Sequence, residues 1–149
     1  MTMAVTTNSQ HKKVIDKAKA NSQKIQRALK RQQLGHRGEE IACEFLMRHN
    51  MKILDRNWRC SYGEIDVIAV EGGTLVFCEV KTRSTKKFGH PEESITLKKR
   101  TRQGKLASVY CSRTAVTHND IRFDLITIMV NESEGRAQVN YVRNAYADC

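Results

Sequence analysis

Residues 63–83 read GEIDVIAVEGGTLVFCEVKTR and carry the strongest structural signal in the sequence. Two runs rich in valine, isoleucine and other strand-forming residues flank a central Gly-Gly pair, which is typical of a tight two-residue hairpin turn. In such a turn Glu71 pairs with Thr74, and the same register then places Asp66 opposite Glu79. The sequence therefore predicts a β-hairpin that carries acidic side chains at the end away from its turn.

One face of this hairpin is predicted to be charged. Because side chains alternate along a strand, Glu64, Asp66, Glu79 and Lys81 share that face, with Glu64 opposite Lys81. The other face is wholly apolar and is predicted to be core: Ile65, Val67, Ala69, Val76, Cys78 and Val80. Opposed carboxylates repel one another, so a cation between them is expected, either Lys81 or a divalent metal. The alternative is a solvated hairpin end with an ordinary Glu64–Lys81 pair.

The remaining segments predict an α/β fold, a mixed β-sheet of about five strands flanked by helices. The predicted order is α-β-β-β-α-β-β, with helices over 38–49 and 96–112 and strands over 52–58, 64–70, 74–83, 122–130 and 138–143. In the first helix, apolar residues including Ala42 and Leu46 recur on one face. Glu39 lies at the edge of that face and leans toward the sheet, so it is predicted to join Asp66 and Glu79.

Charge is unevenly distributed along the 149 residues. The formal net charge is +10, and residues 1–34 hold eight Lys or Arg against one acid, while residues 80–113 hold ten against two. Such segregation favours a polyanionic partner, most simply nucleic acid. The five cysteines are widely spaced without a CxxC pair, and no apolar run reaches membrane-spanning length. These features predict a reduced, cytoplasmic protein with no membrane partner.

One globular domain with an N-terminal extension is predicted. Residues 1–33 form a basic extension without aromatic residues, which is expected to be flexible or partly helical, and a disordered arm is favoured over an added nucleic-acid-binding helix. Residues 34–149 form the globular domain.

The basic central segment is predicted to bind nucleic acid. Cations are poorly placed at a helix N-terminus, so their concentration there indicates a site arranged for anions such as phosphates. A solvated lysine-rich helix is the alternative. The candidate residues are Arg83, Lys86, Lys87, Lys98, Lys99, Arg100, Arg102 and Lys105.

The acidic residues also match a known pattern. The spacing D-x(12)-E-x-K at Asp66, Glu79 and Lys81 resembles the PD-(D/E)xK nuclease signature. More specific are the words LGHRGEE (34–40), NWRCSYGEIDVIA (57–69), LVFCEVKTR (75–83), FGHPEES (88–94), RFD (122–124) and YVRNAY (141–146), which together resemble the YraN family of bacterial predicted endonucleases. That family is similar to archaeal Holliday-junction resolvases and has the restriction-endonuclease-like fold. The resemblance covers residues 34–146 and leaves the basic extension outside it.

The resemblance implies a Mg²⁺-dependent endonuclease that acts on DNA, including branched or damaged DNA, and leaves 5′-phosphate ends. Asp66 and Glu79 would hold Mg²⁺, for which Mn²⁺ can substitute, and Glu39 would hold a second ion or an outer water. Glu64 is either a further ligand or a residue that steers Lys81. Lys81 would position the attacking water or stabilise the phosphate in the transition state.

Two other functions remain open at this point. One is a non-catalytic nucleic-acid-binding protein that retains the fold, and the other is a nuclease that acts on RNA, because nothing in the sequence separates the two nucleic acids. Related resolvases work as dimers, so a homodimer is compatible with the resemblance, although the sequence shows no clear dimer stripe.

Overall fold

Seven elements form in the predicted order. The structure, a computed structural model, describes residues 6–84 and 96–146. The elements are α1 (Thr6–Arg48), β1 (Lys52–Cys60), β2 (Gly63–Glu71), β3 (Thr74–Ser84), α2 (Leu97–Arg113), β4 (Asp120–Asn131) and β5 (Arg136–Val142). Six of the seven begin and end within two residues of the predicted bounds, and α1 is the exception.

The five strands form one mixed sheet in the order β1-β2-β3-β4-β5. β3 and β4 run parallel, and α2 lies between them in the chain, whereas the other neighbouring pairs are antiparallel. A parallel pair needs such a crossover connection, since a tight turn reverses the chain. The predicted α/β class is therefore confirmed, and the architecture is consistent with a restriction-endonuclease-like fold.

The hairpin register agrees with the prediction near the turn and departs from it further along. Glu71 pairs with Thr74, and the same register continues as far as Val67 and Cys78. Gly72 has a φ of +58°, a conformation that glycine adopts without strain. The predicted pairings of Asp66 with Glu79 and of Glu64 with Lys81 are wrong, because the ladder between β2 and β3 ends before them.

A break in β1 and β2 explains a second departure. Arg56 pairs with Val67 and Trp58 with Ile65, which leaves Asn57 and Asp66 between them outside the pairing. Asn57 has a φ of +50°, so the alternation of side chains is interrupted there. Ile65 consequently packs in a cluster with Ile68, Phe77 and residues of α2, and the prediction that it shares a face with Val67 is wrong.

The core lies on both sides of β2 and β3. Residues 67–69 and 75–78 are almost wholly inaccessible to solvent on either face of the sheet. α2 contributes Leu106, Ala107 and Tyr110, and α1 contributes Ala42 and Leu46, as their spacing predicts. Neither helix in residues 6–84 and 96–146 combines the length and the apolar character needed to span a membrane.

The N-terminal extension is helical from Thr6, where the sequence favoured a disordered arm. Residues 6–34 contain no glycine or proline and are rich in alanine, glutamine, lysine and arginine, all good helix formers, so local propensity accounts for the difference. Its larger apolar side chains, including Val14, Ile25 and Leu29, are exposed. The chain divides into two compact units, residues 1–34 and 35–149. That the extension acts as a separate nucleic-acid-binding arm stays a prediction.

Candidate active site

A cavity of about 290 Å³ lies where the pairing between β2 and β3 ends. Its lining includes Glu64 and Asp66 from β2, Glu79 from β3, and Arg102 and Gln103 from α2. The cavity therefore brings three of the predicted acidic residues and one of the predicted basic residues to one place.

The side chain of Asp66 joins β2 to β3 at the point where their ladder ends. Its Oδ2 accepts a hydrogen bond of 2.8 Å from the backbone N–H of Val80, which takes the place of the missing ladder bonds. Burial raises the pKa of Asp66, the Val80 N–H lowers it, and the nearby carboxylates of Glu39, Glu79 and Glu64 add to the rise, so that the net pKa is about 6. Asp66 is therefore the carboxylate at this locus whose ionised form is disfavoured by its surroundings.

Glu79 is engaged at both carboxylate oxygens. The ammonium Nζ of Lys99 lies 2.9 Å from Oε1, and the hydroxyl of Tyr146 donates to Oε2. The Glu79 side chain is about one-fifth exposed, so these contacts are partly shielded from water. Burial and the carboxylate of Glu79 raise the pKa of Tyr146 well above its ordinary value, which keeps the hydroxyl protonated as a donor.

Glu39 reaches the sheet because of the glycine that precedes it. A Cβ atom at Gly38 would lie 1.7 Å from Oγ1 of Thr82, so only glycine allows α1 to pass so close to β3. The carboxylate of Glu39 then accepts a hydrogen bond of 3.0 Å from Nδ2 of Asn57, the residue in the left-handed conformation. This arrangement gives a physical reason for the Arg-Gly-Glu word at 37–39.

Glu64 and Lys81 are placed differently from the prediction. Glu64 lies opposite Arg59 of β1 and forms an ion pair with it, with 2.6 Å between Nε and Oε2. Lys81 lies opposite Thr127 of β4, in a regular ladder that runs the length of β3. Because side chains alternate along that strand, Lys81 emerges on the same side as Glu79. Glu64 is therefore paired with Arg59, and Lys81 lies on the same side of β3 as Glu79.

The carboxylates do not form a ready-made metal cage. Within residues 6–84 and 96–146, no three His, Cys, Asp or Glu side chains converge closely enough to ligate an ion together. The hydrogen bonds account for this, since Asp66 is bonded to Val80, Glu39 to Asn57, and Glu79 to both Lys99 and Tyr146.

The basic residues of α2 fall into different environments. Thr96 caps the helix, accepting a 3.3 Å hydrogen bond from the backbone N–H of Lys99. Lys99 pairs with Glu79, Arg102 lines the cavity, and Nζ of Lys105 lies 5.6 Å from the centre of the Tyr62 ring. Lys98 and Arg100 lie in the first turn of the helix, and Arg83 lies near the end of β3. The candidates Lys86 and Lys87 lie outside the described residues.

A buried ionic cluster fixes the end of the chain beside the site. Asp124 is completely buried and accepts hydrogen bonds from Arg122 and from the backbone N–H of Asn144 at 2.8 Å. Arg122 also bonds Glu71 across the sheet, so its guanidinium joins the carboxylates of Asp124 and Glu71. The cluster holds the turn that leads to Tyr146.

Sequence reasoning missed Asn57 and Tyr146 as site residues. Both lie in motifs that carry the family resemblance, NWRC at 57–60 and YVRNAY at 141–146. These motifs included the two residues but did not indicate which side chains they contact. Asn57 is 18 residues from the carboxylate it contacts, and Tyr146 is 67 residues away from Glu79. Such pairings depend on the folded chain rather than on local spacing.

Comparison with known proteins places these motifs in a family. The family model described as "Uncharacterised protein family UPF0102" matches residues 38–128, which include Glu39, Asp66, Glu79 and Lys81. A UPF0102 protein of Caldicellulosiruptor saccharolyticus is 40% identical over 118 residues, which cover 79% of this chain and 100% of that protein. Similar proteins of Arthrobacter sp. and Rhodococcus opacus are each 41% identical, over 74% and 76% of this chain and 92% and 95% of their own lengths. The chain therefore belongs to the UPF0102 family, the YraN family that its motifs resemble.

Proposed function

We propose that this protein is a metal-dependent endonuclease that hydrolyses phosphodiester bonds in nucleic acid, most simply DNA. The observation that supports it most strongly is the cavity lined by Glu64, Asp66 and Glu79, where burial and then the nearby carboxylates of Glu39, Glu79 and Glu64 raise the pKa of Asp66 to about 6. A fold that accepts such repulsion beside a basic helix is suited to hold a cation and a phosphate together.

The residues of the cavity fit a divalent cation. The Lys99 ammonium already rests on Oε1 of Glu79, which marks that oxygen as a place where positive charge is favoured. Mg²⁺ needs only one or two carboxylates when waters and phosphate oxygens complete its octahedron, so a cage of three side chains is not required. Asp66 and Glu79 would hold Mg²⁺ or Mn²⁺, and Glu39 would bond a water of its outer sphere.

The bound ion would polarise the scissile phosphate, lower the pKa of a water and stabilise the leaving oxygen. Lys81, on the same side of β3 as Glu79, would hold the attacking water or neutralise charge on the phosphate. Arg102 at the cavity and Lys98 and Arg100 in the first turn of α2 would hold the flanking phosphates. Glu64 lines the cavity and is paired with Arg59, so it would add negative charge there.

A cleavage assay tests this proposal. The full chain is incubated with Mg²⁺, Mn²⁺ or EDTA and with duplex, single-stranded, flap and four-way DNA, and with matched RNA. We expect cleavage that requires the divalent ion, is lost in Glu79→Gln and is retained in Glu44→Gln, which removes an exposed acid from the same helix as Glu39. Cleavage that is unchanged by EDTA or by Glu79→Gln would overturn the proposal.

A non-catalytic nucleic-acid-binding protein is the second candidate. It is favoured by one observation, that Lys99 and Tyr146 occupy both oxygens of Glu79. A protein of this kind would bind the same nucleic acids but leave them intact with every metal tested. The intact set of Asp66, Glu79 and Lys81 supports the endonuclease instead, since a module that only binds phosphates has no use for crowded acids beside them.

Deleting residues 1–33 should leave the catalytic domain folded but weaken its binding to DNA. The extension exposes its larger apolar side chains and holds eight of the 26 Lys and Arg residues, so its loss removes charge and little buried surface. We expect a melting temperature within a few degrees of the full chain, weaker binding at low salt and a shallower dependence on salt.

Thermal unfolding and a titration with labelled duplex DNA measure these effects. A full-length control in which Lys12, Lys17 and Lys24 are changed to glutamine should reproduce part of the loss of binding, because it removes charge without shortening the helix. A sharp fall in melting temperature on deletion would show that the stripe of Val14, Ile25 and Leu29 is needed for folding. Identical DNA binding would show that α2 alone determines affinity.

A further inference from the structure

We propose that Tyr146 is a positioning residue of this site, which fixes Glu79 through Oε2 and leaves Oε1 as the oxygen that faces a cation. The inference rests on the proposed function and goes beyond it, because it assigns a role to the C-terminal turn and to each oxygen of one carboxylate.

The contacts of Glu79 support this division of its two oxygens. Tyr146 is 3% exposed, and its hydroxyl donates to Oε2, so one half of the carboxylate is held by a neutral donor that solvent hardly reaches. The other half, Oε1, meets the positively charged Nζ of Lys99 at 2.9 Å. A carboxylate that is fixed through one oxygen presents the other in a defined direction, which is how neighbouring hydrogen bonds orient metal ligands.

The C-terminal turn is built to place this hydroxyl. The backbone N–H of Asn144 donates to the buried carboxylate of Asp124, and that of Ala145 donates to the carbonyl of Phe123, both at 2.8 Å. Asn144 adopts a φ of +52°, which turns the chain toward the site. The ring of Tyr146 then packs edge-on against Phe123, with 6.2 Å between the ring centres. Two consecutive residues of β4 therefore anchor the turn, and Asp124 is held in place by Arg122.

Lys99 has a distinct part in this arrangement. Its ammonium occupies the oxygen that the proposal assigns to the metal, so the two cations compete for Oε1. A divalent ion that binds Oε1 would release Lys99, which lies in the first turn of α2 beside Lys98 and Arg100 and is then available to a phosphate.

The affinity of the full chain for Mn²⁺, measured by calorimetry without nucleic acid, tests the role of Tyr146. Tyr146→Phe removes only the hydroxyl, and we expect it to weaken Mn²⁺ binding by about tenfold or more, the usual effect of losing a group that orients a ligand. Tyr110→Phe is the matched control: Tyr110 is also buried and donates to a carboxylate, Asp55, at 2.6 Å, but it does not contact Glu79. Its Mn²⁺ affinity should equal that of the unaltered chain. Equal affinity in Tyr146→Phe would overturn the inference.

A second variant tests the assignment of Oε1 even if Tyr146→Phe fails to fold. Lys99→Met removes the competing charge at similar volume, so Mn²⁺ binding should tighten severalfold, whereas Lys52→Met, at an exposed lysine at the start of β1, should change it little. Unchanged or weaker binding in Lys99→Met would overturn the inference. If the unaltered chain binds no Mn²⁺, the proposed function fails as well. If it binds Mn²⁺ but the variants do not change the Mn²⁺ affinity as expected, the proposed function stands and this inference is wrong.

Discussion

Cleavage should fall by about a thousandfold in Asp66→Asn, while the same substitution should make the folded chain more stable. Asn keeps an oxygen that can accept the hydrogen bond from the Val80 N–H, so the parting strands stay joined. It removes the charge that a divalent ion requires and that Glu39, Glu64 and Glu79 repel. Loss of activity together with a gain in stability would identify Asp66 as a residue kept for function rather than for folding.

The sign of the stability effect follows from the direction of the pKa shift. The pKa of Asp66 is raised from 3.8 to about 6, so folding favours its protonated form. The stability that protonation provides is fully present below pH 3.8 and is lost as the pH rises through about 6. At neutral pH the ionised carboxylate therefore destabilises the fold, by an amount on the order of 2 kcal/mol. Asp66→Asn should recover most of that free energy at pH 7.5 and little of it at pH 3.5.

Denaturant unfolding in EDTA at the two pH values measures this difference. Asp120→Asn serves as the control, because Asp120 is exposed and also accepts a backbone N–H, that of Ile121 at 2.8 Å. A variant that cleaves at the unaltered rate, with contaminating nuclease excluded, would show that the site is elsewhere. A variant with no gain in stability at pH 7.5 would show that the ionised Asp66 carboxylate does not destabilise the fold.

Affinity for duplex DNA should fall by roughly two to four orders of magnitude between 50 and 200 mM salt. The structure places five Lys or Arg between residues 98 and 105 of α2 and eight more in the helical N-terminal extension. Each phosphate that these cations neutralise releases a counterion, and the slope of affinity against salt counts the contacts. Because contacts to phosphates carry no sequence information, affinity should change little between duplexes of different sequence.

Fluorescence titrations of the full chain across that range of salt measure the slope. Lys98→Gln should lower it by about one unit, whereas Lys52→Gln, which changes an exposed lysine at the start of β1, should leave it unchanged. A flat salt profile would exclude α2 as the nucleic-acid-binding face and would leave the positive charge of the chain without this explanation.

Local patterns predicted the fold where local interactions decide it. The Gly-Gly turn sets the register from Glu71–Thr74 to Val67–Cys78, because hairpin pairing follows directly from loop length. The same reasoning fails at Asp66, since a side chain bonded to Val80 replaces the ladder and Asn57 reverses the alternation of β1. A regular strand was assumed at the point where the strand is irregular, and that irregularity is what opens the cavity.

Some site residues could likewise be predicted from local sequence, whereas others depend on the folded chain. Motif words were enough to nominate Asp66, Glu79 and Lys81, and the helical wheel was enough to nominate Glu39. Tyr146 and the Lys99–Glu79 contact were not predictable, because they depend on the anchoring of the C-terminal turn and on the approach of α2. The full length of the helical extension was not predicted for a different reason: its polar composition favoured a disordered or only partly helical arm, whereas its individual residues favour a helix.

The cleavage rates of the full chain and of Asp66→Asn decide whether Asp66 belongs to a metal-dependent active site. Both proteins are purified in parallel and incubated with an end-labelled four-way or duplex DNA in excess Mn²⁺ and again in EDTA. We expect the unaltered chain to cleave in Mn²⁺ but not in EDTA and to leave 5′-phosphate ends, and we expect Asp66→Asn to cleave about a thousandfold more slowly in Mn²⁺ and not at all in EDTA. Equal cleavage by the two proteins, or cleavage by neither under conditions in which the unaltered chain binds the DNA, would contradict this expectation.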